Sequence, residues 1–194
     1  MASTLALDVF ERLMGQVSDV QAVARSATQE GDPTAEILRR SAYVLAVAAI
    51  DSYFHELSID RMSTVAKRSR SDSTRVSNYL GHVSASDLEG PNGEAYIRYR
   101  IGFKTLVAPD KVDKAIAAWG GDPDGLWKTF ALRLGSRPDR ERRQLELIYD
   151  RRNQIAHEGD WDSIQLDFRP MAEIHLEDCV SNLRSLAKGF DAVV

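Results

Sequence analysis

The segment from about Pro33 to beyond Leu57, "PTAEILRRSAYVLAVAAIDSYFHEL", constrains this chain more than any other. At about 100° per residue its middle is apolar almost all the way round, which predicts a buried helix with neighbours on every side. A surface helix needs one apolar stripe; this one needs a bundle built around it. Two polar residues break the apolar surroundings: Asp51, and His55 one turn later on the side of Val44 and Ala48.

Helical periodicity dominates elsewhere, and no alternating strand series occurs, so the expected class is all-α. A first amphipathic helix covers residues 4 to 28, with Leu5, Val9, Leu13, Val17, Val20 and Ala24 near one face. "EGDPTAE" breaks it, placing Asp32 as an N-cap and Pro33 at the first helical position of the central helix. "KRSRSDSTRVSN", residues 67 to 78, reads as a polar loop. "GEAYIRYRIGFKTLV", "DKVDKAIAAWGG" and "DGLWKTFALRLG" read as short helices separated by Gly-Pro and Pro-Asp turns. A longer helix starts near "SRPDRERRQ", where Ser136 and Asp139 have capping-box spacing, and ends at Gly159. After the loop "DWDSIQLDFRP", a last helix runs from about Met171 to Phe190. The expected architecture is one domain: a helical bundle with core helices in about 4–60 and 126–190, and an inserted, mostly helical region in about 63–125.

The bulk numbers narrow the function classes. With 43% hydrophobic and 28% charged residues among 194, the chain has the composition of a soluble globular domain. Its net charge of -4 gives no global nucleic-acid signature, so any RNA contact must come from a local basic patch. Cys179 is the only cysteine, which excludes an internal disulfide and points to a reducing, cytoplasmic setting. Asp8, Glu11 and Arg12 interrupt the start where a signal peptide needs an apolar core. The longest apolar run, "AYVLAVAAI", falls far short of the roughly 20 residues of a membrane span, so no membrane partner is expected.

One stretch does not read like ordinary packing: "YDRRNQIAHEG", residues 149 to 159. On a helix, Leu145, Ile148, Tyr149, Arg152 and Ala156 share a face bordered by Ile155. Arg152 therefore falls in the middle of the apolar stripe, while Arg151 is expected to point to solvent. Beside the stripe runs a polar row of Glu146, Asp150, Asn153 and His157. A guanidinium is almost never buried without a partner. Spacing alone leaves two accounts open. Arg152 could pair with a core acid such as Asp51 while His157 caps the helix dipole, or both could serve an anionic substrate.

"RRNQIAHEG" resembles the signature of the HEPN superfamily, all-α domains with an R-x4-6-H motif, here Arg152, Asn153 and then His157. "SAYVLAVAAIDSYFHEL" is similar to the early core helix of HEPN families related to the RiboL-PSP group, where an acidic residue, here Asp51, follows small apolar ones. The resemblance covers the helix at 34 to 60 and the chain from about 126 to 190. It implies a homodimeric, metal-independent endoribonuclease with two motifs facing a shared cleft. Arg152 would neutralise the scissile phosphate, and His157 would act as general acid or base. Asn153 would orient His157 or the phosphate, and Asp51 would support Arg152. It also implies a toxin or phage-defence setting, with an antitoxin or other regulatory protein as partner. The rival readings are a non-catalytic HEPN dimer that binds RNA or protein, and a structural bundle with an ordinary salt bridge.

Further candidates are weaker. His55, His82, His157 and His175 have no metal-binding spacing, and there is no cysteine pair, so neither metal nor other cofactor is expected. His55 reads as a satisfied core residue. Arg151, and Arg68 and Arg70 in the serine-rich segment, are candidate RNA contacts, although a charge cluster is more often a solvated loop. "IRYR", with Tyr96 and Tyr99, would permit base stacking, but tyrosines partly packed into a bundle are the expectation. Arg137, Arg140, Arg142 and Arg143 add positive charge at the far end of the motif helix.

Overall fold

A computed structural model describes residues 3–27 and 33–194 of the chain. Helices α1 (Leu5–Ser26) and α2 (Pro33–Val65) open the fold, and α3 (Arg70–Leu80), α4 (Ala85–Glu89), α5 (Gly93–Ile101) and α6 (Pro109–Ala118) follow. Then come α7 (Pro123–Arg133), α8 (Pro138–Glu158), a minimal antiparallel hairpin of β1 (Trp161–Asp162) and β2 (Asp167–Phe168), and α9 (Glu173–Asp191). The all-α class with a mostly helical middle region is what the residues form. None of the described helices is long and apolar enough to cross a membrane.

The central helix forms as expected but is not covered on every side: Leu45, 39% exposed, and Ala48 face outward. At 33 residues, α2 is about 50 Å long at the helical rise. It packs against α1, α5, α8 and α9. Ala42, Ala46, Val47, Ala49, Ile50, Tyr53, Phe54 and Leu57 are all buried along it. Small residues in its middle let neighbours approach closely, and aromatic ones follow. Phe54, Trp127 and Phe190, from α2, α7 and α9, meet edge-on, with centroids 5.7 Å apart for Phe54–Phe190 and 4.9 Å for Trp127–Phe190. Gly189 has a steric reason: a Cβ there would lie 2.3 Å from the Phe130 ring. One hydrophobic cluster takes in residues of α1, α2, α8 and α9 together with Val76, Leu88, Ile97 and Ile116 of the middle region.

Several local expectations are corrected. The buried face of α1 is Ala6, Phe10, Met14, Val17, Gln21 and Ala24, one position round from the predicted stripe, and Leu5 is 67% exposed. The larger Phe10 and Met14 win the core because they fill more of it. The segment at 67–78 is largely helix α3 rather than loop, started by Ser69, whose hydroxyl accepts from the Asp72 N–H at 3.1 Å. Its Val76 and Leu80 are buried, and those two anchors outweigh a polar composition that suggested a loop. No capping box starts α8: Arg137 is its N-cap, Pro138 occupies the first turn, and the Ser136 hydroxyl has no partner. The expected Asp32 N-cap of α2 lies outside the described residues.

Candidate active site

The motif occupies the last two turns of α8, whose Leu145 and Ile148 are buried and whose Tyr149 and Ile155 pack on the core. The helix stops at Gly159, whose φ of 63° is the left-handed conformation a glycine adopts without strain. Its N–H bonds back to the Gln154 carbonyl. The next residue, Asp160, is also left-handed, at φ 61°, a conformation acidic and amide side chains tolerate better than most.

Asp160 is what sequence reasoning missed. It is fully buried, and two arginines converge on its carboxylate. Arg151 engages it bidentately, Nη1 on Oδ1 and Nη2 on Oδ2, the latter at 2.9 Å. Arg40 of α2 donates its Nε to Oδ2 at 2.7 Å, and its Nη2 reaches Glu36 at 2.9 Å and the Arg169 carbonyl at 2.7 Å. The backbone of Asp160 joins in: its N–H bonds to the Gln154 carbonyl at 3.0 Å, and its carbonyl accepts from Arg169 N–H at 2.9 Å. One carboxylate thus ties together the end of α8, the start of α2 and the strand leading into α9. The only sequence signals were the Arg39–Arg40 pair in a mostly apolar helix and an acid directly after a capping glycine.

This network overturns one expectation. Arg151 does not point to solvent; its side chain is 21% exposed and bonded into the Asp160 cluster. Stepping about 60° off the apolar stripe brought it to the junction with α2 and the hairpin, where an acid was waiting. Arg152, in mid-stripe, is half-buried near the helix end. Its Nη1 donates to Asn153 Oδ1 at 3.0 Å, its Nε is buried with no partner, and among the described residues no carboxylate pairs with it. Asp51 does not serve Arg152. Its Oδ1 accepts the Leu106 N–H at 2.6 Å and lies 3.7 Å from His55 Nε2, which is 2.8 Å from the Lys104 carbonyl. Asp51 therefore pins the loop after α5 to α2, satisfying a backbone donor that would otherwise be buried unpaired.

His157 is exposed, five residues beyond Arg152 and so about 140° further round the helix. Within one chain the structure joins Arg152 to Asn153, and no hydrogen bond or ion pair among the described residues joins either to His157. The remaining candidates lie elsewhere. Arg70 bonds Glu89 at 3.1 Å, and Arg68 lines a cavity with Arg61 and Trp119. His175 is exposed on α9, across a cavity that Arg151 and Cys179 also line. Cys179 is buried, as expected of a small hydrophobe, and burial pushes its thiol up to about 12. No three His, Cys, Asp or Glu side chains among the described residues converge as metal ligands.

A family model described as RiboL-PSP-HEPN matches residues 16–190. No curated protein and no solved structure matches the chain.

Proposed function

The chain belongs to the RiboL-PSP-HEPN family, and from that membership we propose that it is a metal-independent endoribonuclease acting as a homodimer. The observation that carries the proposal is Arg152: a half-buried guanidinium with one amide neighbour and, among the described residues, no carboxylate and no partner for its Nε. A residue in that state is a poor structural element, because desolvating it costs several kcal/mol and no internal ion pair offsets the cost. It is a good phosphate ligand, since its planar fork matches two phosphate oxygens.

In this reading Arg152 binds the scissile phosphate and stabilises the charge that grows on it in the transition state. Asn153 fixes the guanidinium through its Oδ1. His157 takes a proton from the ribose 2′-hydroxyl, or gives one to the departing 5′-oxygen, the two roles an imidazole can fill in acid–base catalysis. The 2′-oxygen bonds to phosphorus as the 5′-oxygen leaves, giving a cyclic phosphate and a 5′-hydroxyl. Arginine supplies the charge and histidine the proton transfer, so the chemistry requires no metal.

The angular separation of Arg152 and His157 supports the dimer. Two α8 ends facing each other would let the arginine of one copy and the histidine of the other bracket a single phosphate. Arg151 becomes a positioning residue that fixes the helix end through Asp160, rather than an RNA contact. A cytoplasmic toxin or phage-defence effector, restrained by an antitoxin or other regulatory protein, is the setting that suits such an activity.

The test is cleavage of mixed RNA with chelator present, by the parent protein and by Arg152→Ala and His157→Ala. Loss of cleavage in both variants, with folding and dimerisation intact, is expected. Cleavage that survives both substitutions, or that chelator abolishes, overturns the reading. A second reading, a non-catalytic dimer that binds RNA, gains if folded dimers bind RNA and never cut it.

A further inference from the structure

The middle region carries a surface that the motif does not use. Tyr99 and Phe103, at the end of α5, are 65% and 70% exposed, so Tyr99 is more open than the partial packing expected of the tyrosines of "IRYR". Their rings meet edge to face with centroids 5.1 Å apart, and Tyr96 beside them is 43% exposed. Large aromatic side chains are costly to leave in water, and a cluster of three marks a contact surface.

One cation flanks these rings, and a second, next to Phe103 in the sequence, lies over the ring of Tyr79. Arg100 Cζ lies 5.9 Å from the Phe103 centroid, and Lys104 Nζ lies 4.7 Å from the centroid of Tyr79. Among the described residues neither has a carboxylate partner. Arg100 donates only to the Leu80 carbonyl, at 3.4 Å, and its Nε is buried without a partner. The nearby acids are engaged elsewhere: Asp51 with the Leu106 N–H, and Glu56 and Glu94 with Arg98. Burial, and then the charges of Arg100 and Lys111, hold the Lys104 ammonium below its ordinary pKa.

We propose that Tyr99, Phe103, Arg100 and Lys104 form a stacking site for single-stranded RNA, with bases on the two rings and phosphates at the two cations. The chemistry favours RNA over a protein partner. An apolar protein face would cover the rings and leave two desolvated, uncompensated cations. A nucleotide strand brings a π-face and an anion at every step. The site would hold a stretch away from the cut. His55, beside Lys104, stands fifteen residues along α2 from Arg40 at the Asp160 cluster, about 22 Å at the helical rise.

This inference rests on the RNA reading above, and a binding measurement separates the two. The parent for the test is His157→Ala, and the probe is a short fluorescein-labelled oligouridylate followed by anisotropy. Tyr99→Ala with Phe103→Ala is expected to weaken binding about tenfold or more, and Tyr99→Phe with Phe103→Tyr to leave it near the parent value. Arg100→Ala with Lys104→Ala is expected to weaken binding and to lower the slope of log affinity against log salt by about 1.4, for two phosphates of a single strand. Unchanged affinity in a folded ring-less variant overturns the site, as does a parent that binds no RNA. A surface made for protein would give the first of those results. Ring-dependent binding by a protein that never cleaves RNA removes only the nuclease reading. His157-dependent cleavage with ring-independent binding removes only the stacking site.

Discussion

The two ends of α8 treat their arginines in opposite ways. Near its start, three of four arginines have found an acid, and the exposed Arg140 has none among the described residues. Arg137 bonds Asp139, Arg142 bonds Asp113 at 3.1 Å and Asp124 at 2.9 Å, and Arg143 bonds Glu146 at 2.6 Å. Near its end, Arg151 is locked onto a buried carboxylate, and Arg152, one residue on, has none among the described residues. Arginine count therefore says little about where an anion binds. The cluster with more positive charge in the sequence is mostly neutralised in place, and the half-buried guanidinium with no acid lies beside a neighbour whose charge is fully used. Arg151 holds the helix end so that Arg152 can remain open.

The sharpest way to break that contrast is at Asp160. Asp160→Ala leaves Arg151 without its acid and Arg40 with Glu36 alone, and losing one partner of a buried ion cluster costs roughly 3–5 kcal/mol. Chemical denaturation should show a loss of that size. Asp160→Asn keeps the shape and part of the hydrogen bonding and should lose less. If Asp160→Ala unfolds at the parent's denaturant concentration, Arg151 and Arg40 are not held as described, and the division of labour between Arg151 and Arg152 fails.

Substitution at the open arginine should produce the reverse pattern. Arg152→Ala removes one donor set from the transition state, which lowers turnover by about 10²–10³-fold. It removes no ion pair from the fold, so stability should change by about 1 kcal/mol or less. Single-turnover RNA cleavage and denaturation of the same preparation check both halves. A large stability loss in Arg152→Ala would make Arg152 a structural residue like its neighbour.

The sequence made the central helix legible because composition and periodicity agree along it, although the expected burial on all sides fails at Leu45 and Ala48. It made the end of α8 legible as well, since Gly159 is a strong local signal. What it hid were pairings between distant residues. Periodicity placed Arg151 off the apolar stripe, which is where it lies, but off the stripe is not the same as in water when Asp160 and α2 arrive from elsewhere in the chain. Asp51 was read as a partner for Arg152 because both looked inward; the Leu106 amide, 55 residues away, claimed it instead. The helix at 70–80 was missed because its two buried anchors, Val76 and Leu80, sit among serines and arginines. The roles of Arg152, Asn153 and His157 came from motif resemblance, and their chemistry stands or falls with the cleavage experiments.

At the paired end, the effects should be small and should depend on pH. Asp113 accepts the Trp127 indole N–H at 2.7 Å and pairs with Arg142, whose guanidinium also lies 5.4 Å from the Trp127 ring centroid. Burial still holds the Asp113 carboxyl above its ordinary pKa, against the opposing pull of Trp127 and Arg142. A carboxyl raised in the folded state favours folding most when protonated, below its unfolded pKa, and that contribution is lost as pH rises through the folded value. Arg142→Ala removes one of the groups pulling the value down, so the folded pKa rises further and the loss extends to higher pH. The variant should therefore be about 1 kcal/mol less stable than the parent near neutrality, with the gap narrowing in acid. Arg143→Ala, on an exposed pair one turn apart, should cost only about 0.2–0.5 kcal/mol. Neither should slow RNA cleavage. A large activity loss in Arg142→Ala, with the fold intact, would mean that the paired end of α8 also touches substrate, and the contrast between the two ends would no longer hold.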